Sequence, residues 1–219
     1  MIHDCSGWTT HRAGNLDAPL RIKRLPRDDQ GRPVPWFAIE AGVADYRSVT
    51  SERWHRAVRG HKCWTCGEAL GGFLAFVSGP LLPLTRVTVS PPSHRECAEY
   101  AATQCPHLRD RQSRTFSGAP NGDPVRAPNV ACVWVTRGYR VLNAGGQALL
   151  QVATATDVMW FTAGRASSRE EVEAAIAAGL PELRHAARLE DVQRKDGRTT
   201  SQTNLDRRLQ ALASTLPAA

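Results

Sequence analysis

The chain predicts an α+β fold, and three observations carry that expectation. Cys63-Trp64-Thr65-Cys66 is answered by His94-Arg95-Glu96-Cys97, two ligand pairs that each enclose two residues. Two runs rich in β-branched and aromatic residues, 129–137 and 149–161, flank Tyr139-Arg140-Val141-Leu142. Capped segments of helical spacing follow from Ser168. Together they predict a zinc-binding finger at the centre of the chain, embedded in a small mixed or antiparallel sheet with flanking helices.

The elements follow in chain order. Residues 1–20 are polar and unpatterned, and read as a mobile tail. The region 21–105 holds a strand, a helix and the finger. Pro33-Val34-Pro35-Trp36-Phe37-Ala38-Ile39 reads as a strand after a proline turn. Thr50 or Ser51 can cap a helix from Glu52 to about Arg59, which delivers the chain to Cys63. Gly67 suits a tight turn with a positive φ behind Cys66. Phe73–Val77 and Arg86–Val89 read as a hairpin, and Pro91-Pro92-Ser93 stops the chain. Ser93 with Glu96 makes a capping box, so His94 and Cys97 fall in the first turn of a helix to about Gln104. Knuckle, hairpin and ligand-bearing helix resemble a treble-clef zinc finger.

Residues 106–128 carry Pro106, Gly118, Pro120, Gly122, Pro124 and Pro128 and read as a linker or long loop. The last segment, 129–219, is β-rich and then helical. Ser168 and Glu171 form a second capping box for a helix ending at Gly179, and Pro181 opens another to about Lys195. A last helix covers Asn204 to Ala213, where Leu205, Leu209, Leu212 and Leu216 make a packing stripe. The Trp36-Phe37 and Trp160-Phe161 segments each run through glycine into a capped helix, which suggests an internal duplication.

Cys63, Cys66, His94 and Cys97 are the expected ligands of one structural Zn2+. The two-residue spacers let each pair span one edge of a tetrahedron, and four protein ligands leave no position for a catalytic water. Cys105 lies eight residues after Cys97, near one face of the same helix. It could replace a ligand or pack below the site, and His107 is a weaker substitute of the same kind. Reduced core cysteines are the plain alternative, against which the paired spacing argues.

No catalytic residue emerges. HNH-type nucleases need a histidine base in the hairpin, and between Cys66 and Ser93 only Glu68 and Arg86 are charged and no histidine occurs. His94-Arg95-Glu96 copies half of the deaminase pattern but in the wrong order relative to the cysteines. Phosphate-cradling and dinucleotide glycine motifs are lacking, and no small-molecule substrate is evident.

The net charge is +7, from 28 basic and 21 acidic side chains. Arginine dominates, since Lys23, Lys62 and Lys195 are the only lysines. Arg21, Lys23, Arg24, Arg53, Arg56, Arg59 and Lys62 concentrate the excess in the first third, a candidate nucleic-acid face. The length suits a packed core, and no run is apolar enough to span a membrane. The opening residues do not begin a signal peptide and the cysteines are patterned for metal, so a bacterial cytosolic location is expected.

Pro33 to Phe37, CWTCGEALGGFLAFVSGP, PPSHRECAEYAATQCP, VWVTRGYRV and WFTAGRASSREEVEAAIAAGLPELR look like segments of a family of uncharacterised phage and prophage proteins, over most of residues 21–216. The resemblance implies a mobile-element origin and a zinc site, and no reaction. The expected function is therefore a non-enzymatic accessory protein that binds nucleic acid. The alternative is a protein-binding modulator of host machinery whose finger only staples the fold, and a nuclease comes third.

Overall fold

A computed structural model describes residues 17–40, 43–44, 50–109, 130–144, 146–193 and 200–218. The expected tail at 1–20 and linker at 106–128 fall largely outside these residues. The tail reading fails at its end, where Leu20–Lys23 forms helix α1 and Ala18 packs on the core. Likewise Pro106–Arg109 forms the short helix α5 where the linker was expected to start.

The chain continues from α1 through β1 (Ile39–Glu40), β2 (Val43–Ala44), α2 (Ser51–Arg59), β3 (Leu74–Ser78), α3 (Leu82–Thr85) and β4 (Val87–Thr88). Helix α4 (Arg95–Gln104) precedes α5, and four strands follow: β5 (Val130–Thr136), β6 (Tyr139–Ala144), β7 (Gln147–Val152) and β8 (Ala155–Thr162). Strand β9 (Arg165–Ala166), α6 (Arg169–Gln193) and α7 (Thr200–Ala211) complete it. All pairings are antiparallel. They build a sheet β3-β5-β8-β9, a sheet β4-β7-β6, and the β1-β2 pair.

Strand β5 explains the layering. All seven of its residues are buried, and they alternate as a strand's side chains must. Val130, Cys132 and Trp134 join the main core with Phe76, Leu150, Trp160, Val172 and Leu205. Ala131, Val133 and Val135 point the other way, onto Ala98 and Ala102 of α4. The first sheet is thus covered by α4 on one face and by the second sheet with α6 and α7 on the other. Because β3 pairs with β5, residues before and after the 106–128 segment share one sheet.

Four local expectations need correction. The hairpin after Cys66 does not form: β3 pairs with β5, whereas β4 pairs with β7. Between them α3 buries Leu82 and Leu84, and Arg86 turns the chain away in a left-handed conformation at φ 57°. Trp36–Ala38 is a 3-10 turn rather than a strand, because the Trp36 N–H donates to Thr65 O at 2.7 Å. Trp160 by contrast lies in β8, so the two Trp-Phe segments do not share a fold. Finally, α6 runs unbroken through Gly179 and Pro181. Its apolar stripe, Val172, Ile176, Leu183 and Ala187, continues past the proline onto the same core, which outweighs the one lost backbone bond. Gly179 serves close approach, since a Cβ there would stand 2.7 Å from Leu81 Cδ1.

Other expectations hold. Thr50 Oγ1 accepts the Arg53 N–H and caps α2. Ser168 and Glu171 cap α6 reciprocally, at 3.3 and 2.9 Å. Leu205 is buried, and Leu209, Leu212 and Leu216 pack beside it.

Candidate metal centre

The first ligand pair sits on a tight ribbon. Cys63 N–H donates to Glu68 O and Gly67 N–H to Cys63 O, both at 2.8 Å, and Lys62 bridges Ala69. Gly67 closes the turn at φ 78°. A side chain there is excluded twice, by the backbone and because a Cβ would meet the Trp36 ring at 2.4 Å. Arg53 stacks on that indole, 4.7 Å from its centroid. The ribbon is therefore braced from α2 through Trp36.

The second pair is delivered by α4. His94 occupies its N-cap position and Cys97 its first turn, where the helix dipole favours a thiolate. The approach is fixed by Ser93, whose backbone exchanges two hydrogen bonds with Ala75 of β3, and by Trp64 N–H donating to Pro92 O. Ser93 is not the cap that its sequence context predicts. Its hydroxyl shares a hydrogen bond of 3.0 Å with Thr65 Oγ1 between the two ligand pairs, and Glu96 turns to Arg21 instead.

The four ligand atoms lie within 4.8 Å of one another, so the cluster could hold a metal ion. His94 Nδ1 stands 3.4 Å from Cys66 Sγ and 3.9 Å from Cys97 Sγ. A tetrahedral zinc with bonds of about 2.3 Å to sulfur and 2.0 Å to nitrogen spaces sulfur from nitrogen by about 3.5 Å. The fit extends to the surroundings. His94 Nε2 lies 2.9 Å from Ala69 O, a contact that places the ring proton on Nε2 and leaves the Nδ1 lone pair facing the thiols. Cys63 Sγ accepts the backbone N–H groups of Cys66 and His94, both at 3.4 Å.

Electrostatics point the same way. The Cys66 and Cys97 thiols beside Cys63 hold its thiol far below the ordinary range. That one thiolate in turn pushes Cys66 up to about 11 and Cys97 higher still. Three thiols in a buried space cannot all ionise without a compensating charge, and a divalent cation supplies it. Cys63 and Cys97 are fully buried, Cys66 nearly so and His94 half-buried, and all four candidate donors are protein groups. Cys105 caps the far end of α4, about 12 Å along the helix from Cys97, and is not in the cluster. His107 lies in α5. Cys132 is buried in β5, where burial raises its thiol pKa, as expected of a core residue.

The candidate basic face divides. Arg21 faces Glu68 and Glu96, both at 3.1 Å, Arg24 pairs with Glu68, and Lys23 with Asp17. Arg53 stacks on Trp36 and donates to Ile39 O. Lys62 Nζ reaches Gly67 O at 3.5 Å. Arg56 pairs with Glu52 on the exposed side of α2, where Arg59 is also exposed. Sequence reasoning found the four residues that the structure gathers into this cluster. It missed the Ala69 carbonyl, the indole on Gly67 and the Arg21 bridge, which join residues far apart in the chain and leave no spacing signal.

No family model matches the chain, and neither a curated protein nor a solved structure matches it. Among the described residues no helix is long and apolar enough to cross a membrane.

Proposed function

We propose that Cys63, Cys66, His94 and Cys97 hold one structural zinc ion in a treble-clef-like centre. We further propose that the protein is a non-catalytic accessory factor of the phage type that binds nucleic acid. Zinc suits a donor set of three thiolates and one imidazole in tetrahedral spacing, and needs no redox chemistry. Without a paired hairpin, the treble-clef likeness rests on the knuckle and the ligand-bearing helix alone.

The nucleic-acid reading rests on the exposed side of α2, where Arg56 and Arg59 lie within a helical turn of each other beside the half-buried His55, and Glu52 pairs with Arg56. Arg21, Lys23 and Arg24 stand against three carboxylates, Glu68, Glu96 and Asp17, and so carry little excess charge, whereas on α2 Arg56 pairs with Glu52 and Arg59 is exposed. The interface thus narrows to α2 and the start of the knuckle at Lys62, and the net charge of +7 supplies long-range attraction.

The test is a salt series. Fluorescence anisotropy with single-stranded DNA, duplex DNA and RNA should give an affinity that falls with log salt concentration, and Arg56→Glu with Arg59→Glu should flatten the slope by about one per lost contact. A charge-reversed protein that binds as the parent does ends this reading. One observation favours the protein-binding alternative: β6 pairs only with β7 among the described residues and exposes Val141 at its edge. Salt-insensitive capture of a single protein, lost with Val141→Lys, would support it.

A further inference from the structure

Helix α1 has little reason to form by itself. It is four residues long, Pro19 gives it no side-chain cap, and so short a helix does not persist alone in water. What holds it is burial of Ile22 and ion pairs to two carboxylates beside the Cys/His cluster. Ile22 is fully buried in the main hydrophobic core, to which Cys63, Cys66 and Cys97 also belong. Arg21 Nε is shielded from solvent and stands 3.1 Å from Glu68 Oε2 as an ion pair without hydrogen-bond geometry, while its NH1 donates to Glu96 Oε1 at 3.1 Å. Arg24 adds a contact of 3.6 Å to Glu68.

The two carboxylates belong to different ligand pairs. Glu68 follows Cys66 by two residues, and Glu96 lies between His94 and Cys97. Their separation is therefore set by whatever gathers the two pairs. We propose that Arg21 clasps the two halves of the metal centre, so that α1 is a metal-controlled arm, docked while the ion is bound and released when it leaves. This rests on the metal reading above. Each ion pair is partly solvated and weak alone, but a planar guanidinium can hold two carboxylates at once where an ammonium is a single point charge. Linkage makes the effect reciprocal: if the ion favours docking of the arm, the docked arm slows loss of the ion by stabilising the bound state.

Hydrogen–deuterium exchange on the full chain, zinc-loaded and zinc-stripped, tests this with zinc content followed by native mass spectrometry. Stripping should raise exchange at Ile22, Lys23 and Leu25, whose amides bond to Pro19 and Ile22 carbonyls, by about tenfold or more. Amides of β5 and β8 should stay protected. Arg21→Met should release the arm in the zinc-loaded protein and speed zinc transfer to a competing chelator about fivefold, without changing the cobalt(II) absorption spectrum. An unchanged spectrum means an unchanged ligand set, so the effect is one of position. Arg21→Lys should restore at most part of the protection. If stripping unfolds the whole chain, the Arg21→Met comparison decides. One bound zinc with arm exchange and zinc release indifferent to Arg21→Met overturns the clasp alone. A chain that takes up no zinc overturns the metal reading and the clasp with it.

Discussion

The cysteines of the ligand ribbon and strand β5 are both buried, yet they are held by different physics. Around Cys63 and Cys97 the contacts are polar and discrete: N–H to sulfur, imidazole to carbonyl, hydroxyl to hydroxyl, guanidinium to carboxylate. Around β5 they are apolar and collective, with Cys132, Trp134, Phe76 and Trp160 packed on one face and Val133 and Val135 on the other. A collective apolar core loses stability in proportion to the atoms removed. A cluster of three thiols and a histidine that is gathered by a metal ion loses its cohesion at once when that ion is withdrawn. The contrast implies that one chain should show two kinds of sensitivity.

The largest expected effect comes from Cys97→Ser. Structural zinc contributes on the order of 10 kcal/mol of apparent folding free energy, and removing one thiolate should abolish tight binding. Inductively coupled plasma spectrometry should find less than one zinc per chain, and α1, the ribbon and the start of α4 should lose exchange protection before β5 does. Equal loss in both regions would erase the distinction.

Trp134→Ala should cost about 3–5 kcal/mol, because a fully buried ring is lost together with its hydrogen bond to Ala153 O and the Arg86 stacked on it. Chemical denaturation measures the cost, and zinc content should remain one per chain. Gly67→Ala should act on the other region only. Its positive φ and the Trp36 contact predict about 1–3 kcal/mol of destabilisation and weaker zinc retention, read by chelator competition. Thr50→Ala removes the α2 cap and should cost about 1 kcal/mol by thermal unfolding, with zinc binding unaffected.

The smallest expected effect is a pH dependence remote from the metal. Burial alone would raise the Asp191 carboxyl, but the N–H groups of Gln202 and Ser201 at the start of α7 outweigh it and hold the group below its ordinary value. The folded state therefore binds fewer protons than the unfolded state just below the usual carboxylate range. The stabilising contribution is full above about pH 4 and fades as the pH falls through the depressed value. Asp191→Asn should flatten the acid limb of the stability curve. An unchanged acid limb would remove Asp191 as the clamp between α6 and α7.

Much of this was legible residue by residue. The ligand set followed from spacing, α2 from Thr50, the α6 start from Ser168 and Glu171, and the C-terminal stripe from leucines at helical intervals. Those are local signals, each contained within a few turns of chain. The failures share a cause. Ser93 looked like a cap because Glu96 stands three residues on, but Thr65 and Arg21 offered both groups better partners from elsewhere. Pro181 looked like a helix start, but the core beneath α6 accepted the whole stripe. The Phe73–Val77 and Arg86–Val89 runs looked like partners because they were neighbours, whereas β5 and β7 competed for them and won.

By itself the sequence determined the α+β class, the four residues of the candidate metal cluster and the starts of α2, α4 and α6, because spacing, caps and alternation act over short stretches of chain, whereas α7 begins at Thr200, four residues before the expected Asn204. Only the tertiary structure decided which strands pair, that the His94 Nδ1 faces the thiols, and that Arg21 reaches Glu68 and Glu96 beside the Cys/His cluster. Those outcomes depend on competition among groups distant in the chain, and a competition is settled only when all of its partners are in place.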